Sequence, residues 1–347
     1  MIRDAQTLLQ RVRAIHEAIR DSVVAACEHT SMTQLAAIVA EQAGDAIFAI
    51  DRISEAVLLQ HFEQLSQEWS FVLIAEGVGE DGVLVFPPNR KPEDVELRII
   101  IDPIDGTRGL MYQKRAAWIL TGIASNRGSD TSLQDIELAV QTEIPLVKQH
   151  LSDSFWAIAK HGVTGERFNR LTHERTPLRP HPSQATTIAQ GYGNIARFFP
   201  GDRAELAAID DEVVFQLLGA RRPGQAQAFE DQYISTGGQL YELLMGHDRW
   251  IADIRPLASK VEIAGLCCHP YDLCTELIAR EAGIFVTDEH DQRLSALLDV
   301  TSPLSWMGYA NTVLHQHIAP VLHTILQQHN LLAHSTANPN GVNDVAL

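Results

Sequence analysis

The chain has 347 residues, which is enough for one large or two medium-sized domains with a substantial hydrophobic core. A formal net charge of −17 argues against a nucleic-acid polymer or an acidic membrane as partner, because both require a basic face. The four cysteines do not have the spacing of a disulfide framework. No apolar run approaches the length of a membrane span, and the charged N-terminus lacks the apolar core of a signal peptide. We therefore expect a cytoplasmic protein.

The first half of the chain predicts helices packed on an antiparallel sheet. Apolar residues spaced three and four apart, with serine N-caps before the later two, predict helices over 2–28, 32–43 and 54–68. Short apolar or alternating runs predict strands at 71–75, 82–86, 97–101, 116–124 and 136–144, with a hairpin after the last. We assign these elements to a first domain, residues 1–180.

A proline-rich stretch, TPLRPHPSQ at 176–184, is the predicted junction with a second domain. Beyond it strands and helices alternate, which is typical of an α/β unit. Strands are expected at 186–190, 229–235, 249–253, 284–287 and 305–310, and helices over 202–218, 237–245, 271–282 and 312–329. We assign residues 185–330 to this smaller α/β domain, and we expect the polar tail at 335–347 to be frayed.

The stretch IDPIDGTRGL holds two aspartates three positions apart, directly after an apolar run. Asp102 closes that predicted strand, Asp105 follows it, and Glu76 closes an earlier strand. Carboxylates that converge without a cation repel one another and raise each other's pKa. A hard divalent cation relieves this repulsion, and ligands that are all oxygen suit Mg²⁺. Pro103 restricts the backbone and would help to turn the carbonyl of Ile104 toward such a cation.

Gly106 and Thr107 follow at once and are predicted to open a short helix. Free N–H groups at a helix N-terminus bind anions, and glycine lets a phosphate approach closely. Cation ligands and a phosphate cradle so close together indicate metal-assisted hydrolysis of a phosphate ester. An EF-hand is excluded because its twelfth position, counted from Asp102, is Gln113 rather than glutamate. A phospho-aspartyl phosphatase is excluded because Pro103 stands where that chemistry needs an aspartate.

The segment DPIDGT resembles the signature of the inositol monophosphatase and fructose-1,6-bisphosphatase superfamily of Mg²⁺-dependent, often lithium-sensitive phosphomonoesterases. Three other segments match that superfamily in order and rough spacing: GDAIFAIDRISE at 44–55, IAEG at 74–77 and HPYDLCTELIAREAGIFVTD at 269–288. The resemblance covers about residues 5–325. Together with the predicted elements it implies a layered α+β or α/β sandwich of the αβαβα type.

The resemblance also implies metal ligands. A first Mg²⁺ would be bound by Glu76, Asp102 and the carbonyl oxygen of Ile104. A second would be bound by Asp102, Asp105 and Asp272, and Glu76 would contact a third through water. Two or three ions are therefore expected, with Mn²⁺ as a substitute and Li⁺ as an inhibitor.

The same resemblance implies the remaining roles in the site. Gly106 and Thr107 would hold the phosphate through their backbone N–H groups. Asp51 and Thr107 would share a hydrogen bond that polarises the attacking water, although Asp51 could instead be only a helix cap. Substrate contacts are expected from Asp105, Arg108, Asp253 and Asp272, of which Asp253 stands where many members hold substrate hydroxyls.

Some features depart from the pattern of the superfamily. Tyr271 precedes Asp272 where tryptophan is usual, and the link over 254–271 is longer than usual, which leaves the role of this link and the identity of the substrate open. The pair Arg108–Gly109 is closer to 3′(2′),5′-bisphosphate nucleotidases, so Arg108 could contact a second phosphate or simply be solvated. Solvated charges, rather than phosphate ligands, are expected at Arg249, Arg255 and Lys260.

The cysteines near residue 270 do not have the spacing of a zinc site. Cys267 and Cys268 are adjacent, and adjacent cysteines rarely chelate one ion together. With His269 and Cys274 they lack a second Cys-x-x-Cys pair. We therefore expect small side chains packed near a helix start.

The sequence predicts a phosphatase that uses Mg²⁺ to hydrolyse a small phosphomonoester, either an inositol-phosphate-like polyol or a sugar phosphate. Three alternatives stay open: a 3′(2′),5′-bisphosphate nucleotidase, a fructose-1,6-bisphosphatase, and a non-catalytic member of the family that binds metal or ligand without turnover. The expected partner is a small phosphate ester, and the resemblance implies a homodimer.

Overall fold

The computed structural model describes residues 2–35, 37–42, 45–79, 81–199, 202–220, 222–258 and 267–333. Lys260, much of the 254–271 link and the tail at 335–347 lie outside these ranges. Among the described residues, no helix is long and apolar enough to cross a membrane.

The secondary structure alternates between helices and short strands. The helices are α1 (Ala5–His29), α2 (Met32–Leu35), α3 (Ala49–Leu65), α4 (Thr107–Met111), α5 (Arg203–Leu218), α6 (Thr236–Leu244), α7 (Arg255–Ala258), α8 (Glu276–Glu281) and α9 (Thr312–Gln328). The strands are β1 (Ile38–Gln42), β2 (Asp45–Phe48), β3 (Phe71–Ala75), β4 (Val83–Phe86), β5 (Leu97–Asp105), β6 (Ala117–Ser125), β7 (Ile136–Ile144), β8 (Leu151–Ile158), β9 (Val163–Asn169), β10 (Arg175–Leu178), β11 (Tyr192–Ile195), β12 (Asp248–Asp253), β13 (Phe285–Thr287) and β14 (Trp306–Tyr309). Short 3₁₀ turns lie at Pro92–Asp94 and Leu133–Asp135.

Two sheets organise the molecule. The larger has the strand order β10-β9-β8-β7-β6-β5-β3-β4 and the smaller has the order β11-β12-β14-β13. The larger sheet is antiparallel, as predicted, except that β3 and β5 run parallel. Ala75 pairs with Ile101 in this parallel pair, so Glu76 and Asp102 follow at the same edge of the sheet.

Helices and sheets alternate in five layers. Helices α1 and α3 pack on one face of the larger sheet, and α6 and α8 pack between the two sheets. Helices α5 and α9 pack against each other and against the smaller sheet. This αβαβα arrangement confirms the predicted layered fold.

Strand β6 shows how the sequence builds the layers. Its nine residues, AWILTGIAS, are buried except for the last, as expected for a strand covered by helices on both faces. Trp118 and Leu120 belong to the core shared with the smaller sheet, whereas Ile119 and Ile123 belong to the core beneath α1 and α3. The two-residue period of a strand therefore divides one apolar run between two cores.

The predicted helix over 32–43 is wrong. The described chain forms only the short α2 there, and then β1 and β2 pair antiparallel. The β-branched pair Ile38–Val39 favours extended backbone, and Gly44 disfavours a helix interior. These local preferences outweighed the apolar spacing on which the prediction depended.

Helix α3 begins at Ala49, five residues before the predicted cap at Ser54. The Ser54 hydroxyl lies inside the helix and donates to the carbonyl of Asp51 at 2.7 Å. The N–H of Phe48 donates to Asp51 Oδ2 at 2.8 Å and closes the helix N-terminus. The earlier start places Asp51 in the first helical turn.

Three predicted elements of the second half differ from the structure. Residues 186–190 and 229–235 are not strands, and β11 forms between them. The Gln232 amide bonds to Asn194 and to the carbonyl of Ile195, so this segment is held by side chains rather than by a strand ladder. Residues 271–275 are turns, and α8 begins only at Glu276.

Candidate metal and phosphate site

The carboxyl-terminal end of β5 carries two aspartates on an interrupted strand. Pairing with β6 is regular up to Asp102, breaks, and resumes where Asp105 lies opposite Trp118. Pro103 lacks the N–H that a continuous ladder needs, so the strand is irregular here. The N–H of Ile104 instead donates to Asp102 Oδ1 at 2.9 Å. All four residues of this turn line one pocket.

Three aspartates, called here the aspartate cluster, meet in this pocket. Asp102, Asp105 and Asp272 each supply a carboxylate oxygen, and these oxygens lie within 4.8 Å of one another. Within the described part of the chain, no lysine or arginine forms an ion pair with Asp102 or Asp105. A compact set of ligands that are all oxygen fits a hard divalent cation such as Mg²⁺.

The pKa values reflect this lack of a protein cation. Burial raises the pKa of Asp102 well above its ordinary value, and the charges of Asp105, Asp272 and Glu76 raise it further. Burial and the charge of Asp272 raise the pKa of Asp105 to about 7, although hydrogen bonds to its carboxylate oppose the rise. Bringing these carboxylates together therefore costs free energy, which a bound cation would offset.

The first turn of α6 holds Asp105 in place. Its carboxylate accepts hydrogen bonds from Ser235 Oγ at 2.7 Å, from the N–H of Gly237 at 2.6 Å and from the N–H of Thr236 at 3.3 Å. A Cβ at Gly237 would lie 2.9 Å from Asp105 Oδ2 and 2.5 Å from Leu120, so a larger residue does not fit. Sequence reasoning missed these residues, because an N-cap serine before a helix does not reveal which carboxylate its helix will meet.

Asp272 reaches the cluster from the turn before α8. The N–H of His269 donates to Asp272 Oδ2 at 2.7 Å, and the His269 ring stacks on Tyr271 with 5.3 Å between centroids. The hydroxyl of Tyr271 makes a long contact of 3.5 Å with Glu76 Oε2. The predicted ligand Glu76 is exposed at the pocket wall and lies beside the aspartate cluster rather than within it.

Asp51 and Thr107 are joined as the sequence predicts. The Thr107 hydroxyl lies 3.1 Å from Asp51 Oδ1 and 2.8 Å from the carbonyl oxygen of Ile104. Its single proton is donated to one of these oxygens at a time, which leaves a lone pair of Thr107 for another donor. Asp51 also caps α3, so the predicted hydrogen bond to Thr107 and the helix cap are present together.

Gly106 occupies a position that only glycine suits. Its φ of +95° lies in the left-handed region, and a Cβ would lie 3.0 Å from that of Ser235. The residue thus lets the turn after β5 pack against the start of α6. It precedes α4, which has five residues and whose first is Thr107.

Arg108 and Arg255 approach the pocket from two different domains of the predicted division. The Arg108 guanidinium lies 5.8 Å from the ring centroid of Phe48 and 5.2 Å from that of Phe199. The Arg255 guanidinium lies 4.7 Å from Phe198 and 5.6 Å from Phe199. Both arginines and all three rings line the pocket.

The structure places Asp253 behind Arg255 rather than on the pocket wall. The Asp253 side chain has no exposed surface, and it accepts hydrogen bonds from Arg255 Nε at 2.8 Å and from a terminal nitrogen at 2.5 Å. The expectation of a solvated Arg255 is wrong, since only 10% of its side chain is exposed. The guanidinium, not the predicted carboxylate, is therefore the group presented to the pocket.

Arg249 and the four cysteines were also considered in the sequence analysis. Arg249 donates to the backbone carbonyls of Thr187 and Ala189 and does not line the pocket, so it is neither fully solvated nor at the site. All four cysteines are free thiols. Cys267 lines the pocket, with its sulfur 3.6 Å from His269 Nε2.

Neither a protein-family model nor a curated protein sequence matches the chain. Solved structures do match along nearly the whole length. Fructose-1,6-bisphosphatase from Leishmania major in its holo form is 14% identical over 94% of this chain and 96% of its own, with a TM-score of 0.67. Extragenic suppressor protein SuhB from Bartonella henselae is 14% identical over 91% of this chain and 98% of its own, with a TM-score of 0.60.

An IMPase from Thermotoga maritima is 15% identical over 92% of this chain and 99% of its own, with a TM-score of 0.58. Structural matches at identities this low show a shared fold and do not identify the substrate. The chain therefore has the fold of the inositol monophosphatase and fructose-1,6-bisphosphatase superfamily.

Proposed function

We propose that this protein is a Mg²⁺-dependent phosphatase that hydrolyses a small phosphomonoester, such as a polyol phosphate or a sugar phosphate. The observation that carries the proposal is the aspartate cluster: three convergent carboxylates on a pocket wall without a protein cation for Asp102 or Asp105 among the described residues. Solved structures with the same fold include a fructose-1,6-bisphosphatase and an IMPase. Both the donor chemistry and the fold therefore support a phosphatase.

The aspartate cluster would hold the cations, joined by Glu76 and by the carbonyl oxygen of Ile104. When bound there, Mg²⁺ supplies Lewis-acid polarisation of a phosphoryl oxygen and lowers the pKa of water. The raised pKa of Asp105 and of Asp102 means that cation binding and proton binding compete at these carboxylates. The all-oxygen set also suits Mn²⁺ as a substitute.

Asp51 and Thr107 would position the attacking water. When Thr107 donates its proton to Asp51 Oδ1, its lone pair is available to accept a proton from water. That arrangement orients the water and increases its nucleophilicity. Gly106 and Thr107 would present their backbone N–H groups to the phosphate. The left-handed backbone of Gly106 opens this turn.

The proposal is tested by phosphate release from purified protein with a panel of polyol phosphates, sugar phosphates and nucleotides. We expect release with Mg²⁺, none with EDTA, and inhibition by Li⁺. Absence of release from every phosphomonoester in Mg²⁺ would falsify the enzymatic function and leave a non-catalytic binding protein as the better description.

A second test addresses Asp51 and Thr107. Thr107→Val removes the hydroxyl at nearly constant volume and should lower kcat by about 10²-fold or more, as expected for loss of an acid–base contact. Thr107→Ser keeps the hydroxyl and is the matched control, which should retain most of kcat. Equal activity of the two variants would exclude the proposed role.

Three finer expectations remain part of the proposal: two or three bound ions, a homodimer, and a cytoplasmic location. The free thiols of all four cysteines are consistent with a reducing compartment. Metal content of the dialysed holoprotein and light scattering in solution measure the first two directly.

A further inference from the structure

The segment that precedes α6 is bound to β6 through the hydroxyl of Tyr233. This hydroxyl donates to the backbone carbonyl of Ala116 at 2.7 Å and accepts from Trp118 Nε1 at 2.9 Å. Tyr233 is buried, and Trp118 lies opposite Asp105 where β5 pairs with β6. The hydroxyl therefore attaches this segment to the strand that lies directly beside Asp105.

Tyr233 also fixes the first turn of α6. Its ring lies where a side chain on Gly238 would stand, since a Cβ there would be 2.4 Å from the ring carbons. Its carbonyl accepts from the N–H of Ser235 at 2.9 Å and from Gln239 Nε2 at 3.1 Å. Ser235 Oγ accepts from the N–H of Gly238 at 2.8 Å and donates to Asp105 at 2.7 Å. The residue that is bound to β6 thus sets the position of the groups that hold Asp105.

The contacts around Asp105 form a closed chain. They lead across the strand pair to Trp118, then to Tyr233 and Ser235, and back to the Asp105 carboxylate. Phenylalanine would fill the same space as Tyr233, and a buried hydroxyl costs free energy unless it is hydrogen-bonded. The phenol makes two directional bonds, and a fully satisfied buried network restricts its members to one geometry. Groups that orient a metal ligand in this way typically change metal affinity by about 10- to 100-fold.

Arg115 adds a weaker contact to the same segment. Its guanidinium lies 4.2 Å from the centroid of the Tyr233 ring and pairs with Asp231 at 2.8 Å and with Glu242 at 3.2 Å. A Cβ at Gly109 would lie 3.4 Å from that of Arg115, so the second glycine of DGTRGL lets α4 pack against this arginine. Because 39% of the Arg115 side chain is exposed, solvent weakens both ion pairs. Tyr233 is therefore the main connection.

We propose that Tyr233 is a positioning residue for Asp105: its hydroxyl keeps the start of α6 at the place on β6 from which Ser235 and Gly237 orient the Asp105 carboxylate toward the cation. The inference rests on the metal site of the proposed function, and it names a residue outside the pocket on which the Mg²⁺ affinity of that site depends. Tyr233 does not line the pocket, so it acts through Ser235 and Gly237 rather than by contact with cation or substrate.

Mg²⁺ binding to a matched pair of tyrosine variants tests the proposal. Tyr233→Phe removes the hydroxyl, and Mg²⁺ titrated by calorimetry into the metal-free full chain should then show a Kd about tenfold above that of wild type. Tyr241→Phe is the control, because its ring also packs on Trp118, at 4.6 Å, whereas its hydroxyl donates to Asp153 at 2.7 Å. This control should lose stability and keep the wild-type Kd. An unchanged Kd in Tyr233→Phe, or an equal rise in Tyr241→Phe, overturns the proposal.

A double variant tests the route from Tyr233 to Asp105. Ser235→Ala alone should raise the Kd for Mg²⁺, and Tyr233→Phe should add little in that background, because both substitutions disturb one chain of contacts. Full additivity of the two effects overturns the assigned role. Arg115→Gln replaces Tyr233→Phe if the latter does not fold. We then expect the Kd to rise about threefold, the size of an exposed ion pair, and an unchanged Kd contradicts the proposal.

Kinetics separates failure of this inference from failure of the proposed function. With a phosphomonoester that the wild type hydrolyses, the Mg²⁺ concentration for half-maximal phosphate release should rise about tenfold in Tyr233→Phe, and kcat at saturating Mg²⁺ should stay near the wild-type value. Hydrolysis with an unchanged Mg²⁺ requirement overturns the positioning role and leaves the phosphatase standing. Mg²⁺ binding that depends on Tyr233 in a protein without hydrolysis supports the role and overturns the phosphatase. A wild-type protein that neither binds Mg²⁺ nor releases phosphate overturns both.

Discussion

Two groups of buried acidic side chains lie on the same large sheet, and they differ in what neutralises them. On β7 and β8, Glu143 and Asp153, called here the paired acids, are each held by protein groups. The Arg167 guanidinium donates two hydrogen bonds to the Asp153 carboxylate, at 2.6 Å and 2.7 Å, and the hydroxyl of Tyr241 donates a third at 2.7 Å. Glu143 accepts from Gln149 at 2.7 Å and from the N–H of Asp153 at 3.0 Å.

In the aspartate cluster at the end of β5, Asp102 and Asp105 have hydrogen bonds but no ion pair with an arginine or lysine among the described residues, and Asp272 lies 3.7 Å from a nitrogen of the His269 ring. Ser235 and the backbone of α6 donate hydrogen bonds to Asp105, whereas burial and then the repulsion among the carboxylates raise the pKa of both Asp102 and Asp105. We therefore expect the aspartate cluster, unlike the paired acids, to be completed by a cation from solution. Burial alone thus does not mark a functional site, since Glu143 also has a pKa raised by burial, to about 7. The distinguishing feature is the ion pair: Arg167 binds Asp153, whereas no arginine or lysine among the described residues pairs with Asp102 or Asp105.

The largest expected difference between the two groups is in activity. Asp102→Asn or Asp105→Asn should lower kcat/KM for Mg²⁺-dependent phosphate release by about 10³-fold or more, because each removes a ligand and with it several kcal/mol of charge stabilisation. Asp153→Asn is the matched control among the paired acids and should retain activity within a few-fold. Full activity of either cluster variant would show that catalysis lies elsewhere.

In folding stability the order of the two groups should be reversed, with the larger loss in the paired acids. Asp153→Asn should lower the free energy of unfolding by about 2–3 kcal/mol, because it breaks the pair with Arg167. This is less than for a fully buried pair, since 37% of the Arg167 side chain is exposed and solvent screens the interaction. Asp102→Asn in EDTA should leave stability unchanged or raise it by up to about 1 kcal/mol, because it relieves repulsion. Urea unfolding in EDTA measures both, and a larger loss for Asp102→Asn would remove the distinction drawn between the groups.

Added Mg²⁺ should stabilise the protein through the aspartate cluster alone. At a concentration tenfold above Kd the gain is about 1.4 kcal/mol, or a rise in Tm of about 2 °C. The rise should persist in Asp153→Asn and vanish in Asp105→Asn. Differential scanning calorimetry at several Mg²⁺ concentrations gives the comparison, and an undiminished rise in Asp105→Asn would place the cation elsewhere.

The smallest expected effect is on the pH dependence of stability. The folded-state pKa of Asp105 is about 7, above the ordinary value of 3.8 that applies to the unfolded chain. Between these values the metal-free folded state binds more protons than the unfolded state, so this group becomes less destabilising as pH falls through 7. Relative to Asp105→Asn, wild-type protein in EDTA should therefore gain about 1 kcal/mol between pH 8 and pH 6.

Urea unfolding at several pH values measures this gain, and parallel pH profiles of wild type and Asp105→Asn would contradict it. Saturating Mg²⁺ provides the control. Because the cation requires the ionised carboxylate, the gain on lowering the pH should then disappear.

Some local features of the site could be predicted from the sequence, and others could not. Asp102, Pro103 and Asp105 follow an apolar run, and the structure places them in the last part of β5, which extends to Asp105 rather than ending at the predicted residue 101. The hydrogen bond between Asp51 and Thr107 is also present, although the resemblance, not spacing, indicated it. The start of α3 was misplaced because Asp51, not Ser54, closes the helix, and several weak capping signals compete within a few residues.

The residues that hold the side chains of the site in place were the least predictable part of the site. Ser235 and Gly237 hold the Asp105 carboxylate from 130 and 132 positions further along the chain, and no periodic pattern in the sequence indicates these contacts. Asp253 and Arg255 are near neighbours in sequence, yet no pattern indicates their pairing either. The orientation of Asp253 depends on which of two acceptable partners, substrate or Arg255, the surrounding packing favours. Propensity and spacing describe neighbours along the chain and carry no information on that choice.

The sequence by itself determined the layered α/β class, the buried strands and the acidic residues that follow the apolar run before Asp102. These follow from hydrophobic periodicity and backbone sterics, which act over a few residues. Only the tertiary structure decided that Asp272 joins Asp102 and Asp105 and that Arg255 faces the pocket. It also decided that, among the described residues, Asp102 and Asp105 lack the arginine that Asp153 has in Arg167. Those outcomes depend on how two sheets and their helices pack, because the effective charge of a buried group is set by whatever the fold brings within a few ångströms of it.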